Sequence, residues 1–97
     1  MDIKELLKEE EEYLINMRRE FHKNPEASWE EYETSKRVKK ELDKLGLSYT
    51  SCADTGVTAL IEGGKDGKTV ALRADMDALE IEEEAEVEFK SQNEGLM

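Results

Sequence analysis

The spacing of apolar residues changes at Gly46, and that change decides the fold class. Before it, Ile3, Leu6, Leu7, Leu14, Met17 and Phe21 fall on one helical stripe, and Tyr32, Val38, Leu42 and Leu45 on another. After it, short β-prone runs are bounded by turn residues. The pattern predicts an α/β unit in which two N-terminal helices pack on a small partial sheet. Asn24-Pro25 ends the first helix near His22, because the residue before proline avoids the α region. Ser28-Trp29-Glu30-Glu31 has the form of a capping box, so the second helix is expected over 29–45, with Trp29 as a core anchor. Gly46 stands where a left-handed C-terminal residue is wanted.

Residues 47–52 read as a short strand, 53–56 as a turn and 57–62 as a second strand. Gly63-Gly64-Lys65-Asp66-Gly67 is the strongest turn signal in the chain, followed by Thr69-Val70-Ala71-Leu72. A β-hairpin pairing 58–61 with 69–72 is therefore expected. Six of the nine residues at 80–88 are Glu, interleaved with Ile81, Ala85 and Val87. Glutamate is a poor strand former, so this stretch is expected as an ordered loop or weak edge strand.

Composition narrows the class of function. Ninety-seven residues allow one small domain at most. Twenty-five acidic residues against 14 basic ones leave a net charge of -11. That balance argues against nucleic-acid binding and against docking on anionic lipid. No apolar run approaches a membrane span, and no signal-peptide core follows Met1. The single cysteine, Cys52, cannot form an internal disulfide and is expected as a half-buried small hydrophobe. A cytoplasmic location fits these features. The run Glu9-Glu10-Glu11-Glu12 reads as a solvated face.

Chemistry has one candidate site. Arg73-Ala74-Asp75-Met76-Asp77 follows the most β-prone segment directly, where ligand sites of α/β sheets lie. Two carboxylates two residues apart can aim at one cation or orient one ligand, and they also serve as ordinary turn chemistry. His22, near a helix C-terminus, reads as a packing or dipole partner. The glycines at 63, 64 and 67 lack the context of a phosphate loop.

Read together, Met17-Arg18-Arg19-Glu20-Phe21-His22-Lys23-Asn24-Pro25-Glu26 and Ser28-Trp29-Glu30-Glu31-Tyr32-Glu33-Thr34-Ser35 resemble the opening of the M20 metallopeptidase family. The nearest branch is the amidohydrolases that include hippurate hydrolase, N-acyl-amino-acid amidohydrolase and auxin-conjugate hydrolase. Thr55-Gly56-Val57 is similar to the next stretch, and Thr69-Val70-Ala71-Leu72-Arg73-Ala74-Asp75-Met76-Asp77-Ala78-Leu79 is the most specific match. Where that family has proline after Asp-Ala-Leu, this chain has Glu80.

The resemblance implies that residues 1–97 are the N-terminal portion of an M20-type catalytic domain, truncated and without its lid or dimerisation domain. It implies two divalent metal ions of the zinc, manganese or cobalt type sharing a water, with a glutamate as general base. The substrate would be an N-acyl amino acid or similar conjugate. Asp77 would orient a metal-bound imidazole, and Asp75 would line the site. The ligand motif His-Ala-Cys-Gly-His-Asp is expected beyond Met97. A hydrolytic zinc site needs about three protein ligands, so the isolated chain is expected to bind no metal alone and to be catalytically silent. It is also expected to self-associate through an exposed sheet edge at 69–72. Two other readings compete. One is a non-catalytic remnant or acidic interaction module. The other is a haloacid-dehalogenase-like phosphotransferase, with Asp75 as nucleophile and Asp77 as acid/base.

Overall fold

The computed structural model describes residues 2–97. Its elements are α1 (Ile3–Lys23), α2 (Tyr32–Lys44), β1 (Tyr49–Cys52) and β2 (Gly56–Ala59), the α/β composition that the change of period predicts. No helix among the described residues is long and apolar enough to cross a membrane. The chain divides into two compact units. One contains the residues up to Pro25 together with Leu79–Met97, and the other is Glu26–Ala78.

In the first unit, Asp2 caps α1 by accepting from the Lys4 amide at 3.2 Å. The helix ends as the sequence predicts: Asn24 is its C-cap, and its side-chain amide donates to the Glu20 carbonyl at 2.9 Å. The segment 79–97 is a loop without strand structure. Leu79 and Met97 exchange both backbone hydrogen bonds, at 2.9 and 3.0 Å, and so close the two ends of the loop on each other. The Gln92 amide donates to the Lys23 carbonyl at 2.9 Å and the Asn93 side-chain amide to the Pro25 carbonyl at 2.7 Å, which fastens the loop to the end of α1.

The second unit departs from expectation at the start of α2. No capping box forms: the helix begins at Tyr32, and its N-cap Glu31 makes no side-chain capping bond. Trp29 lies in the left-handed region at φ 69° and is 66% exposed, so it is no core anchor. The cap comes instead from Glu26. Its Oε1 accepts from the amide and hydroxyl of Thr34, both at 2.5 Å, and its Oε2 accepts from the Glu33 amide at 3.1 Å. A carboxylate there satisfies otherwise unpaired N–H groups and suits the helix dipole. The C-terminus follows prediction. Gly46 takes φ 71°, its amide donates to the Asp43 carbonyl and the Leu47 amide to the Leu42 carbonyl, the double bond pattern of a Schellman motif.

The hairpin is β1 with β2, antiparallel, in the register Tyr49↔Ala59, Thr50↔Thr58, Ser51↔Val57 and Cys52↔Gly56. The predicted pairing of 58–61 with 69–72 is not made. Among the described residues β2 pairs on one edge with β1 alone, and its other edge has no strand beside it. Ala53 and Asp54 both take positive φ (48° and 62°), giving the twist that suits a tight hairpin turn. Gly56 is required where it stands, because a Cβ there would sit 2.6 Å from the Cys52 carbonyl oxygen. Cys52 is exposed rather than half-buried, its Sγ 3.3 Å from the Thr58 hydroxyl.

Among the described residues no apolar side chain is fully buried; the buried positions of α2 are Thr34 and Ser35. Of the predicted inner face of α2, Tyr32 and Leu45 are 59% and 69% exposed. The interior of this unit is polar. Glu31, 8% exposed, accepts on Oε2 from the Thr55 hydroxyl at 3.0 Å, which ties the start of α2 to the hairpin turn.

Candidate functional site

Residues 69–78 carry the predicted site on a segment that is neither helix nor strand and has no ladder partner. Leu72, just before the motif, is 98% exposed. Arg73 reaches past Ala74 and donates from Nη2 to Asp75 Oδ1 at 2.8 Å, with both side chains well exposed. An exposed ion pair of this kind adds little stability, about 0–1 kcal/mol. Its effect is local: it gives one Asp75 oxygen a donor within the motif. Asp77 is exposed and makes no ion pair among the described residues. Immediately after it, the Ala78 amide donates to the Glu26 carbonyl at 2.8 Å. That bond pins the exit of the motif to the residue that caps α2.

The other titratable candidates do not join this pair. His22 belongs to the unit containing α1, where its Nε2 lies 2.7 Å from the buried Glu83 carboxylate and its ring meets Phe89 edge-on at 5.7 Å. This is the packing role its sequence position predicts. Cys52 faces Thr58 in the hairpin. No group of three or more His, Cys, Asp or Glu among the described residues could hold a metal ion. The motif supplies two carboxylates, where a catalytic zinc site uses about three protein ligands around one open position. What the motif offers is hydrogen-bond acceptors on an accessible segment.

Two features escape a reading of the sequence. The capping role of Glu26 spans eight residues and has no local signature, although Pro25-Glu26 is part of the motif that carries the resemblance. Glu83 stands among five other glutamates in 80–88 and is the one that is buried; nothing in the sequence singles it out.

Comparison with known proteins supplies what the geometry alone does not. No family model matches the chain. Thermostable carboxypeptidase 2 of Saccharolobus solfataricus is 50% identical over 98% of the chain, which covers 25% of that protein. IAA-amino acid hydrolase ILR1-like 5 of Arabidopsis thaliana is 51% identical over 89% of the chain and 20% of its own length. Among solved structures, the YXEP protein of Bacillus subtilis, described as a dinuclear metal binding peptidase from the M20 family, superposes with a TM-score of 0.85. The two are 40% identical, over 93% of this chain and 26% of that one. The chain thus spans about a quarter of the length of the relatives it matches. Likeness in both sequence and fold, over nearly all of these residues, places the chain in the M20 peptidase and amidohydrolase family.

Proposed function

We propose that residues 1–97 act as the N-terminal portion of the catalytic domain of a metal-dependent amidohydrolase, and that they do not catalyse by themselves. The observation that carries this is the 50% identity over 98% of the chain to a protein about four times as long. The relatives' names, a carboxypeptidase and an amino acid hydrolase, share one chemistry: cleavage of an amide bond that releases an amino acid. The substrate class proposed is accordingly an N-acyl amino acid or similar conjugate.

In this reading Asp77 accepts a hydrogen bond from the ring N–H of an imidazole supplied by the rest of the enzyme. Such a bond fixes the tautomer and leaves the other nitrogen free to ligate a divalent ion. Asp75, already paired to Arg73, lines the site. An independent acidic interaction module is less well supported, because the likeness to longer hydrolases runs over 98% of the chain, the acidic stretch included.

A chimera tests the proposal. The 97 residues replace the matching quarter of the Saccharolobus carboxypeptidase, and hydrolysis of N-acyl amino acids is assayed with and without a chelator. Chelator-sensitive hydrolysis by the chimera is expected, with a loss of about 10–100-fold for Asp77→Ala, and none by the chain alone. Hydrolysis by the purified 97-residue chain, or a chimera indifferent to Asp77→Ala, would overturn it.

A further inference from the structure

We propose that Glu26 is a positioning residue for the loop that carries Asp75 and Asp77, acting through its carboxylate and its carbonyl together. The inference rests on the functional reading of that loop given above, and it concerns a residue to which that reading gives no role.

The side chain is held at three points. Oε1 accepts from the Thr34 amide and hydroxyl and Oε2 from the Glu33 amide, so both oxygens are engaged by the first turn of α2. These are charge-assisted bonds, about twice as strong as neutral ones, and they close on Thr34, which is only 8% exposed. A residue fixed in this way has little freedom in its own backbone. Its carbonyl oxygen then accepts from the Ala78 amide at 2.8 Å. Ala78 is one peptide beyond Asp77. Among the described residues, Ala78 is the only member of 60–78 whose amide donates to a backbone acceptor. The long segment without helix or strand that bears Asp75 and Asp77 is thus anchored at its far end by one backbone bond, and the acceptor of that bond is held in place by the cap.

Capping α2 alone would not require the Glu26 carbonyl to face Ala78, and anchoring Ala78 alone would not require a carboxylate. Both functions on one residue couple the rigidity of a helix end to the placement of Asp77. Loss of the carboxylate should therefore be felt at Asp77 before it is felt in the hairpin.

Amide hydrogen exchange and ¹H–¹⁵N resonances of the 97-residue chain test this directly. In Glu26→Ala the Ala78 amide is expected to exchange about tenfold faster or more, with the Asp75 and Asp77 resonances displaced, while the amides that pair β1 with β2 keep their protection. Glu26→Gln keeps one acceptor oxygen and should give an intermediate acceleration; it decides the matter if the alanine variant unfolds. An unchanged Ala78 rate in either folded variant would overturn the proposal. So would loss of protection spread equally over β1 and β2, which would make Glu26 a general stability residue. None of these readouts needs catalysis, so failure of the chimera would sink the functional reading and leave this linkage standing, and the reverse holds as well.

Discussion

His22 Nε2 lies 2.7 Å from Oε1 of Glu83, a carboxylate whose side chain is 5% exposed. Phe89 packs its edge against the imidazole, and the Arg19 guanidinium lies 4.6 Å from the centre of the Phe89 ring. The acidic segment is thereby drawn onto the end of α1 by one buried acceptor and an aromatic contact. The two partners should respond unequally to truncation. His22→Ala strands a buried carboxylate and is expected to cost about 1–3 kcal/mol. Glu83→Ala leaves an imidazole that is still 24% exposed and can be rehydrated, so it should cost less. Urea denaturation of both variants measures the difference, and equal losses would mean that Glu83 is not the constrained partner.

A second buried carboxylate makes a sharper case. Glu31 Oε2 accepts from the Thr55 hydroxyl, while Oε1 is buried without a protein partner. Thr55→Val removes the one protein donor and keeps the shape. Destabilisation of about 1–3 kcal/mol is expected, larger than that of Thr58→Val on the exposed face of the hairpin. Replacing both Glu31 and Thr55 by apolar residues should recover part of the loss, because the stranded acceptor is then gone. A double-mutant cycle in urea checks this.

Tyr49 provides the pH dependence. Partial desolvation, and then the Asp43 carboxylate 3.4 Å from its hydroxyl, push the phenol above its ordinary value of 10.0. A raised value means that the folded state holds the proton longer than the unfolded one. The stabilisation is therefore fully present below the unfolded value and is lost as pH rises through the folded one. Titration of phenolate absorbance should show Tyr49 ionising later than a free tyrosine. Asp43→Asn should bring it down, though not all the way, since the desolvation remains. An unmoved titration in that variant would show that Asp43 plays no part.

How far the sequence anticipates this arrangement depends on the range of each interaction. The end of α1 at Asn24-Pro25 and the glycine stop of α2 were legible, because both rest on backbone preferences of one or two residues. The start of α2 was not. Its cap comes from Glu26, eight residues before Thr34, and the chain between them turns through Trp29 in a left-handed conformation, closed by the Glu30 amide on the Ala27 carbonyl. The hairpin is legible as a hairpin but not in its partners, since 49–52 and 69–72 both read as strands and either could pair with the strand between them. The interior of the second unit is legible only in part: periodicity points to Tyr32, Val38, Leu42 and Leu45, of which Val38 and Leu42 are half-buried and Tyr32 and Leu45 exposed, whereas the buried side chains are Glu31, Thr34, Ser35 and Thr55. The motif at 73–77 was legible through resemblance, and its tether to Glu26 was not, because a backbone bond spanning fifty-two residues leaves no trace in composition.

Residues 69–72 give the last prediction. Thr69-Val70-Ala71-Leu72 is strongly β-prone, yet Val70 and Leu72 are 83% and 98% exposed and the segment has no ladder partner. Once this segment extends as a strand, alternation puts Val70 and Leu72 on one face beside N–H and C=O groups free to pair, a template for edge pairing with a second copy. The net charge of -11 opposes that approach, and salt screens the repulsion. Self-association of the 97-residue chain is therefore expected to rise with concentration and with added salt. The double variant Val70→Lys with Leu72→Lys should weaken it about tenfold, or roughly 1.4 kcal/mol, despite lowering the net negative charge. Sedimentation equilibrium separates the two effects: weakening through the loss of an apolar edge persists in high salt, whereas an association unaffected by the double variant would place the sticky surface elsewhere.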